Sequence, residues 1–472
     1  MRVILCVKTV WGKTTVILRA TPWVLWCLAI TAPGCSIINL QRNISEMERS
    51  IVLAGRVLPD EDLPHKGSPN KDSPDGEFSA AAVTADSDVK PAVFVVVYEQ
   101  TPQGYEMVDF QQLDGVDYFL FLVAAGHQYY IVAFLDANGN SNYDPGEPLG
   151  YYGNPTPISE SMEHADKGVT IRLSAEGVFP GQFPPELGAD SIIGNKNIPL
   201  IFGEIITLDD DRLSRDMARK SLWAPLDFAK QNGVGVFFLE KYSPDKIPVL
   251  FINGFGGTPL DWEQFLNNLD RRCYQPWLFY YPTGVRLSKS VKLLSVAVDY
   301  FKKQYGVSQL YLVAHSMGGL IARSYVVNTV SHGQPNPVKL LVTFSTPWNG
   351  HTAAAQGVKN APVVMPAWID IQPDSRFISS LFDIKLRSSL DHYLFFSFND
   401  SRSASGEDND GAVTLTSQLD YRAQAEAKKL FGVNTSHRGI LQDPKVIQTF
   451  NGLLSTTTAA SADTPLKYTC TK

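Results

Sequence analysis

The chain has 472 residues, 44% of them apolar and 19% charged, with a formal net charge of −7. That is more chain than one small hydrophobic core serves, so two domains with tails are expected. The acidic balance leaves no basic face for nucleic acid, and no block of like charge marks an interaction tail.

At the N-terminus, Lys8, Lys13 and Arg19 precede ATPWVLWCLAITAPGCS, whose uninterrupted apolar stretch from Trp23 to Ile30 is too short to span a bilayer. Residues 1–34 therefore read as a signal peptide. The small residues before Cys35, TAPGC, resemble the box of bacterial lipoproteins. The resemblance implies cleavage before Cys35 and a lipid on that residue. With Ser36 rather than Asp beside it, it also implies transfer to the outer membrane or cell surface. Ala32 stands where such boxes usually have Leu, so ordinary cleavage to a soluble periplasmic or secreted chain is the alternative.

Residues 36–55 carry some helical periodicity, and 59–90 are rich in Pro, Ser, Asp and Lys, so 35–90 read as a tether or linker. From Val93 the texture changes to AVFVVVYEQ, YFLFLVA, QYYIVAFLD and GVTIRLS, separated by TPQG and DANGN. Short Val-, Phe- and Tyr-rich runs between turn residues predict a small all-β sandwich over 91–175. Its texture resembles the transthyretin-like or immunoglobulin-like modules attached to secreted enzymes. Between two of these runs, Asp136, Asn138, Asn140, Asn142, Asp144 and Glu147 fall at positions 1, 3, 5, 7, 9 and 12 of an EF-hand loop, a candidate structural calcium site. Ser141 occupies the place of the usual glycine and no helices flank the loop, so the alternative is a hairpin turn whose side chains bond their own backbone.

Over 200–455, strand-like runs alternate with helix-like ones: IPVLFIN then LDWEQFLNNL, QPWLFYYP then RLSKSVKLLSVAVDYFKKQY, QLYLVAH then GGLIARSYVVNTV. Strands apolar on both faces and joined by amphipathic helices predict a mostly parallel α/β sheet, with chemistry at the carboxyl ends of its strands. Ser316 falls there. Ala314-His315-Ser316-Met317-Gly318 has the form of a nucleophile elbow, a turn from strand to helix so tight that its flanking positions must be small. A serine needs a base, and the base an orienting acid, in the chain order Ser, acid, His. Of the histidines after Ser316, His332 falls in the helix-to-strand loop at the opposite edge of the sheet, His351 precedes the last elements and His392 opens a strand; His437 follows the last strand-like run and precedes a terminal helix. The loop after HYLFFSFND offers Asp400, Glu407, Asp408 and Asp410. Asp410, on the tight turn NDGAV, is the choice, with Asp408 and Asp400 as rivals. The oxyanion hole needs two backbone N–H groups. Met317 follows the nucleophile, and the Gly-rich turn NGFGGTP supplies Phe255, with Gly256 as alternative. Neither GxGxxG spacing nor a P-loop lysine is present, which removes a phosphate cradle.

KIPVLFINGFGGTPLDWEQF, AHSMGG, STPWNGH, NDGAVTLTS and the histidine of TSHRGILQDPKVI together resemble bacterial α/β-hydrolases of the lipase and esterase type, in the branch that includes inositol deacylases. The resemblance implies the α/β-hydrolase fold, no cofactor for catalysis, Asp410 as the acid, and a cap near 352–390. Two departures are Asn253, where the family often has His, and Ala314, where it has Gly. The expected activity is cleavage of a small-molecule or lipid ester by Ser316, His437 and Asp410. An amidase or acyltransferase with the same triad, or a surface binding protein with an inactive hydrolase domain, is the alternative. Beyond 455 the polar tail reads as disordered, and Cys273 with Cys470 is one available cysteine pair.

Overall fold

The computed structural model describes residues 35–59, 92–113, 118–140, 142–153, 157–158, 169–178, 180–181, 198–386, 390–402 and 406–460. The expected signal peptide, the expected linker beyond Pro59, Cys470 and the tail beyond Ala460 lie outside the described residues. Cys273 is disulfide-bonded.

Residues 35–59 do not form the expected tether. Cys35–Glu48 is a helix, and β1 (Ser50–Pro59) is a strand. The helix places Asn43, Ile44 and Met47 on one buried face, and burying Ile44 and Met47 contributes roughly 1.5–3 kcal/mol each. Asn43 fixes the docking: its Oδ1 accepts from Asp227 N at 3.0 Å and its Nδ2 donates to Asp227 Oδ2 at 3.1 Å. The periodicity in 36–55 was real, but the polar stretch following it masked the strand.

β2 (Ala92–Thr101), β3 (Gly104–Leu113), β4 (Tyr118–Ala124), β5 (Tyr129–Asp136), β6 (Leu149–Tyr152) and β7 (Val169–Leu173) complete the N-terminal β region. One sheet runs β4-β1-β7 and the other β3-β2-β5-β6. β1 is antiparallel to β4 and parallel to β7, so the earliest strand in the chain lies between two later ones. Alternate residues, among them Ile51, Leu53, Val93, Val95, Phe119, Phe121 and Ile131, fill the space between the sheets. The region leans on the helix Leu287–Tyr305: Tyr118 donates its hydroxyl to Asp299 at 3.0 Å and meets Tyr300 edge-on at 5.4 Å.

A third sheet contains β8 (Leu200–Ile205), β9 (Val234–Phe238), β10 (Ile247–Ile252), β11 (Tyr274–Tyr280), β12 (Leu310–His315), β13 (Val338–Phe344), β14 (Asp391–Arg402), β15 (Asp408–Asn409) and β16 (Lys429–Asn434). Its order is β8-β9-β11-β10-β12-β13-β14, with β15 and β16 both paired to β14. From β11 to β14, and on to β16, the strands are parallel; β8 and β9 run the other way. Every residue of β10, β11 and β12 is buried, as the continuous apolar runs require. After β10 the chain passes to β11 on one side, then crosses to β12 on the other. That reversal sets the loops following β10 and β12 side by side at the carboxyl end of the sheet, where an open α/β sheet has its crevice. The last helix, Pro444–Ala460, runs past the expected boundary at 455.

Candidate active site

β12 ends at His315 and a helix, Met317–Ser331, begins two residues later. The turn between them is a single residue, Ser316, with φ 53° and ψ −127°. A non-glycine residue at positive φ costs of order 1–3 kcal/mol and persists only where its surroundings hold it. Here Ser316 N donates to Phe344 O of β13 at 2.8 Å and Ser316 O accepts from Gly319 N at 3.0 Å. The small neighbours are sterically required: a Cβ on Gly319 would lie 2.1 Å from Thr346 Oγ1, and one on Gly254 only 2.8 Å from Ser316 Cβ.

His437 Nε2 lies 2.9 Å from Ser316 Oγ, and His437 Nδ1 lies 2.7 Å from Asp410 Oδ2. Residues 94 and 121 positions from Ser316 thus meet it in one hydrogen-bonded line. The rivals are elsewhere. His332 bonds Asn328 O at the far end of the helix after Ser316, His351 Nδ1 caps the helix Thr352–Asn360, and His392 is buried beside Thr343. Asp408 is exposed to solvent; the Asp400 side chain lies outside the described residues.

Asp410 is fully buried, yet it is richly bonded. Its Oδ1 accepts from the N–H groups of Ala412 and Val413 at 3.0 and 2.8 Å. Its Oδ2 accepts from Ser397 Oγ at 2.6 Å and Gln418 Nε2 at 3.1 Å besides His437. Burial pushes the carboxyl pKa up, but His437 and these donors outweigh it and hold the group below its ordinary value. Ser397 and Gln418 were not singled out from the sequence. The available signal was a lone serine in the apolar strand HYLFFSF.

His315 is a second histidine at the site, also unforeseen in its role. Its ring is buried 4.7 Å from that of His437, and its Nε2 lies 2.8 Å from His437 O. A carbonyl only accepts, so Nε2 carries the proton. Burial, with the nearby His437 charge, lowers the His315 pKa to about 3, so the ring stays neutral.

Beside Ser316, the turn Asn253–Gly257 is anchored by Tyr281, whose hydroxyl donates to Asn253 O at 2.7 Å. Gly256 N donates to Thr283 Oγ1 at 3.2 Å, which engages the alternative oxyanion donor. Among the described residues no hydrogen bond occupies the N–H of Phe255 or Met317. Among the described residues of 352–390, three short helices form: Thr352–Asn360, Pro366–Ile371 and Arg376–Ser380. Met365 is buried beside Gly284, Trp368 packs on Gly357, and Val358, Val363, Val364 and Ile369 remain partly exposed. Arg286 pins this segment through a two-nitrogen contact with Asp370 at 2.6–3.0 Å.

The described residues of the loop 136–147 bond one another. Asp136 Oδ1 accepts from Gly139 N and Asn140 N, and both Glu147 oxygens accept backbone N–H groups, from Ala137 and Asp144. Asn138 and Asn140 each donate to Asp144 Oδ2 at 2.6 Å, and Asn142 N donates to Asn140 Oδ1. Among the described residues no three His, Cys, Asp or Glu side chains converge as a metal cage. These hydrogen bonds are those of a self-bonded turn.

The strand order, the crossover at β10 and the strained serine turn define an α/β-hydrolase fold. Residues 283–451, which hold the serine turn, Asp410 and His437, match a family described as "Alpha/beta hydrolase of unknown function (DUF915)". No curated protein matches the chain. Among solved structures it is similar to the mature form of the Bacillus licheniformis lipase BlEst2, with 20% identity and a TM-score of 0.36 over 46% of this chain and 94% of that one. It is also similar to a gene product of Listeria innocua, with 17% identity and a TM-score of 0.34 over 44% and 94% of the two chains. A third is a bacterial membrane phospholipase A, with 16% identity and a TM-score of 0.31 over 48% and 84%.

Proposed function

We propose that this chain is a serine ester hydrolase working through an acyl-enzyme. The observation that carries the reading is the line Ser316 Oγ, His437 Nε2, His437 Nδ1, Asp410 Oδ2, at 2.9 and 2.7 Å. In this reading His437 removes the Ser316 proton as Oγ attacks the ester carbonyl carbon. The oxyanion that forms takes hydrogen bonds from the N–H groups of Met317 and Phe255. The imidazolium, paired with ionised Asp410, then gives its proton to the leaving alcohol, and water repeats the cycle on the acyl-enzyme. His315 holds the His437 backbone from beneath. A fluorophosphonate probe tests the reading: covalent labelling at Ser316, with turnover of nitrophenyl esters, is expected. An unlabelled Ser316 would leave a binding protein with an inert site.

The partly exposed apolar side chains of 358–369 favour an apolar acyl group, since each methylene leaving water contributes about 0.8 kcal/mol. A lipid on Cys35 fits the sequence before it. Among the described residues no helix is long and apolar enough to cross a membrane. The docked 14-residue helix starting at Cys35 would hold the enzyme within about 21 Å of a bilayer, at 1.5 Å per residue. Complete partition of the mature chain into the aqueous phase of a detergent separation would remove the anchor.

A further inference from the structure

The residue after the proposed base, Arg438, has no carboxylate partner among the described residues. It is exposed, and its Nη2 donates to Gly256 O at 3.3 Å, so its side chain crosses from the His437 loop to the turn carrying Phe255. Every other arginine between 200 and 455 whose side chain is described, Arg376 excepted, is paired with a carboxylate. Arg376 sits on the helix Arg376–Ser380, within the segment 352–390. Among the described residues Arg438 is therefore an unpaired guanidinium directly beside His437. Its charge also bears on the buried His315 ring.

The chemistry gives this charge a side. The leaving oxygen of an ester must come within reach of His437 Nε2 to receive its proton, so the alcohol part of the substrate lies along the His437 loop. A guanidinium one residue further on, with one donor engaged by Gly256 among the described residues, offers a planar fork suited to phosphate or carboxylate oxygens. We propose that Arg438 forms an anion subsite on the leaving-group side, so that preferred esters carry a phosphate or carboxylate on their alcohol part. The inference rests on the ester-hydrolase reading and specifies its substrate class.

The test compares kcat/KM of the full mature chain for butanoyl esters of glycerol, glycerol 3-phosphate and glyceric acid. The wild-type chain should favour at least one anionic ester over the neutral one by about tenfold at low salt, and the preference should shrink as ionic strength rises. The phosphate and carboxylate arms tell which anion is recognised. Arg438→Gln should bring the anionic-to-neutral ratio close to one, whatever it does to the neutral ester, and Arg438→Lys should give an intermediate ratio. Two outcomes overturn the subsite while the hydrolase reading stands. One is a wild-type ratio near one. The other is an Arg438→Gln variant that loses the same factor on all three esters, which would make Arg438 a latch between two loops. If the wild-type chain neither takes the fluorophosphonate label nor cleaves any of the esters, the hydrolase reading falls and the subsite with it.

Discussion

On the base side of Ser316, Asp410 accepts hydrogen bonds from Ser397, Gln418, His437 and two backbone N–H groups. His437 is held there by both of its own backbone groups, N to Asp410 O and O to His315. On the oxyanion side, the turn Asn253–Gly257 is tied through its backbone by Tyr281, Thr283 and Arg438, and the N–H groups of Phe255 and Met317 carry no bond among the described residues. The two sides meet different demands. A carboxylate ionised in a buried place needs donors at all times, because an unpaired buried charge is costly. Donors meant for a charge that exists only during reaction must stay empty until then, so their placement comes from strand connectivity and close packing.

That contrast can be broken from either side, and the largest effect falls on the atom between them. Ser316→Ala should lower kcat by about 10⁴-fold or more with an unchanged unfolding midpoint, since the turn stays intact. Retention of a tenth of wild-type ester turnover would exclude Ser316 as nucleophile. On the oxyanion side, Gly254→Ala puts a Cβ 2.8 Å from Ser316 Cβ and should lower kcat by about 10²–10³-fold with KM little changed. Steady-state kinetics on one nitrophenyl ester measure both.

The base side is sharpened by stability. His392, which opens β14, is buried with its pKa lowered to about 3. The unfolded chain therefore takes up a proton that the folded one refuses, and stability should fall as pH drops from about 6.5 towards 3. Urea midpoints across that window should be less pH-dependent in His392→Gln. Ser397→Ala, on the same strand, removes one donor that keeps Asp410 ionised. Its depressed pKa stabilises the fold above the ordinary carboxyl value of about 3.9 and ceases to do so as pH falls through the folded value. The variant should be about 1 kcal/mol less stable at pH 7, with a gap that narrows below pH 4. The smallest effect belongs to the cap: Trp368→Ala should flatten the rise of kcat/KM from acetate to medium-chain nitrophenyl esters by a few fold, about 0.8 kcal/mol per methylene being available. Acetate as the best wild-type substrate would remove the apolar pocket.

How much of this was legible differs along the chain for a physical reason. The serine turn is a local steric problem solved by adjacent residues, so Ala314, Gly318 and Gly319 announce it. Asp410 needed more, since four acids share its loop and only the fold buries one of them beside His437. The supporting residues were harder still. Ser397, Gln418 and His315 act through partners 13, 8 and 122 positions away, and nothing in their neighbours states what they will meet. The N-terminal strand was missed for the opposite reason: SIVLAGRVL pairs with residues far downstream, while the polar stretch after it is immediate and dominated the reading.

The position of β1 between β4 and β7 decides how the chain tolerates trimming. A recombinant protein started near residue 90, at the apparent domain boundary, would lack the strand joining two others. It would leave β4 and β7 as open edges whose unpaired N–H and C=O groups invite pairing between molecules. It would also uncover the surface around Asp227 on which the first helix rests. Such a protein should precipitate or pair with copies of itself while its Ser316 turn, built from later residues, is untouched, and solubility would then be mistaken for activity in any screen that scored the two together.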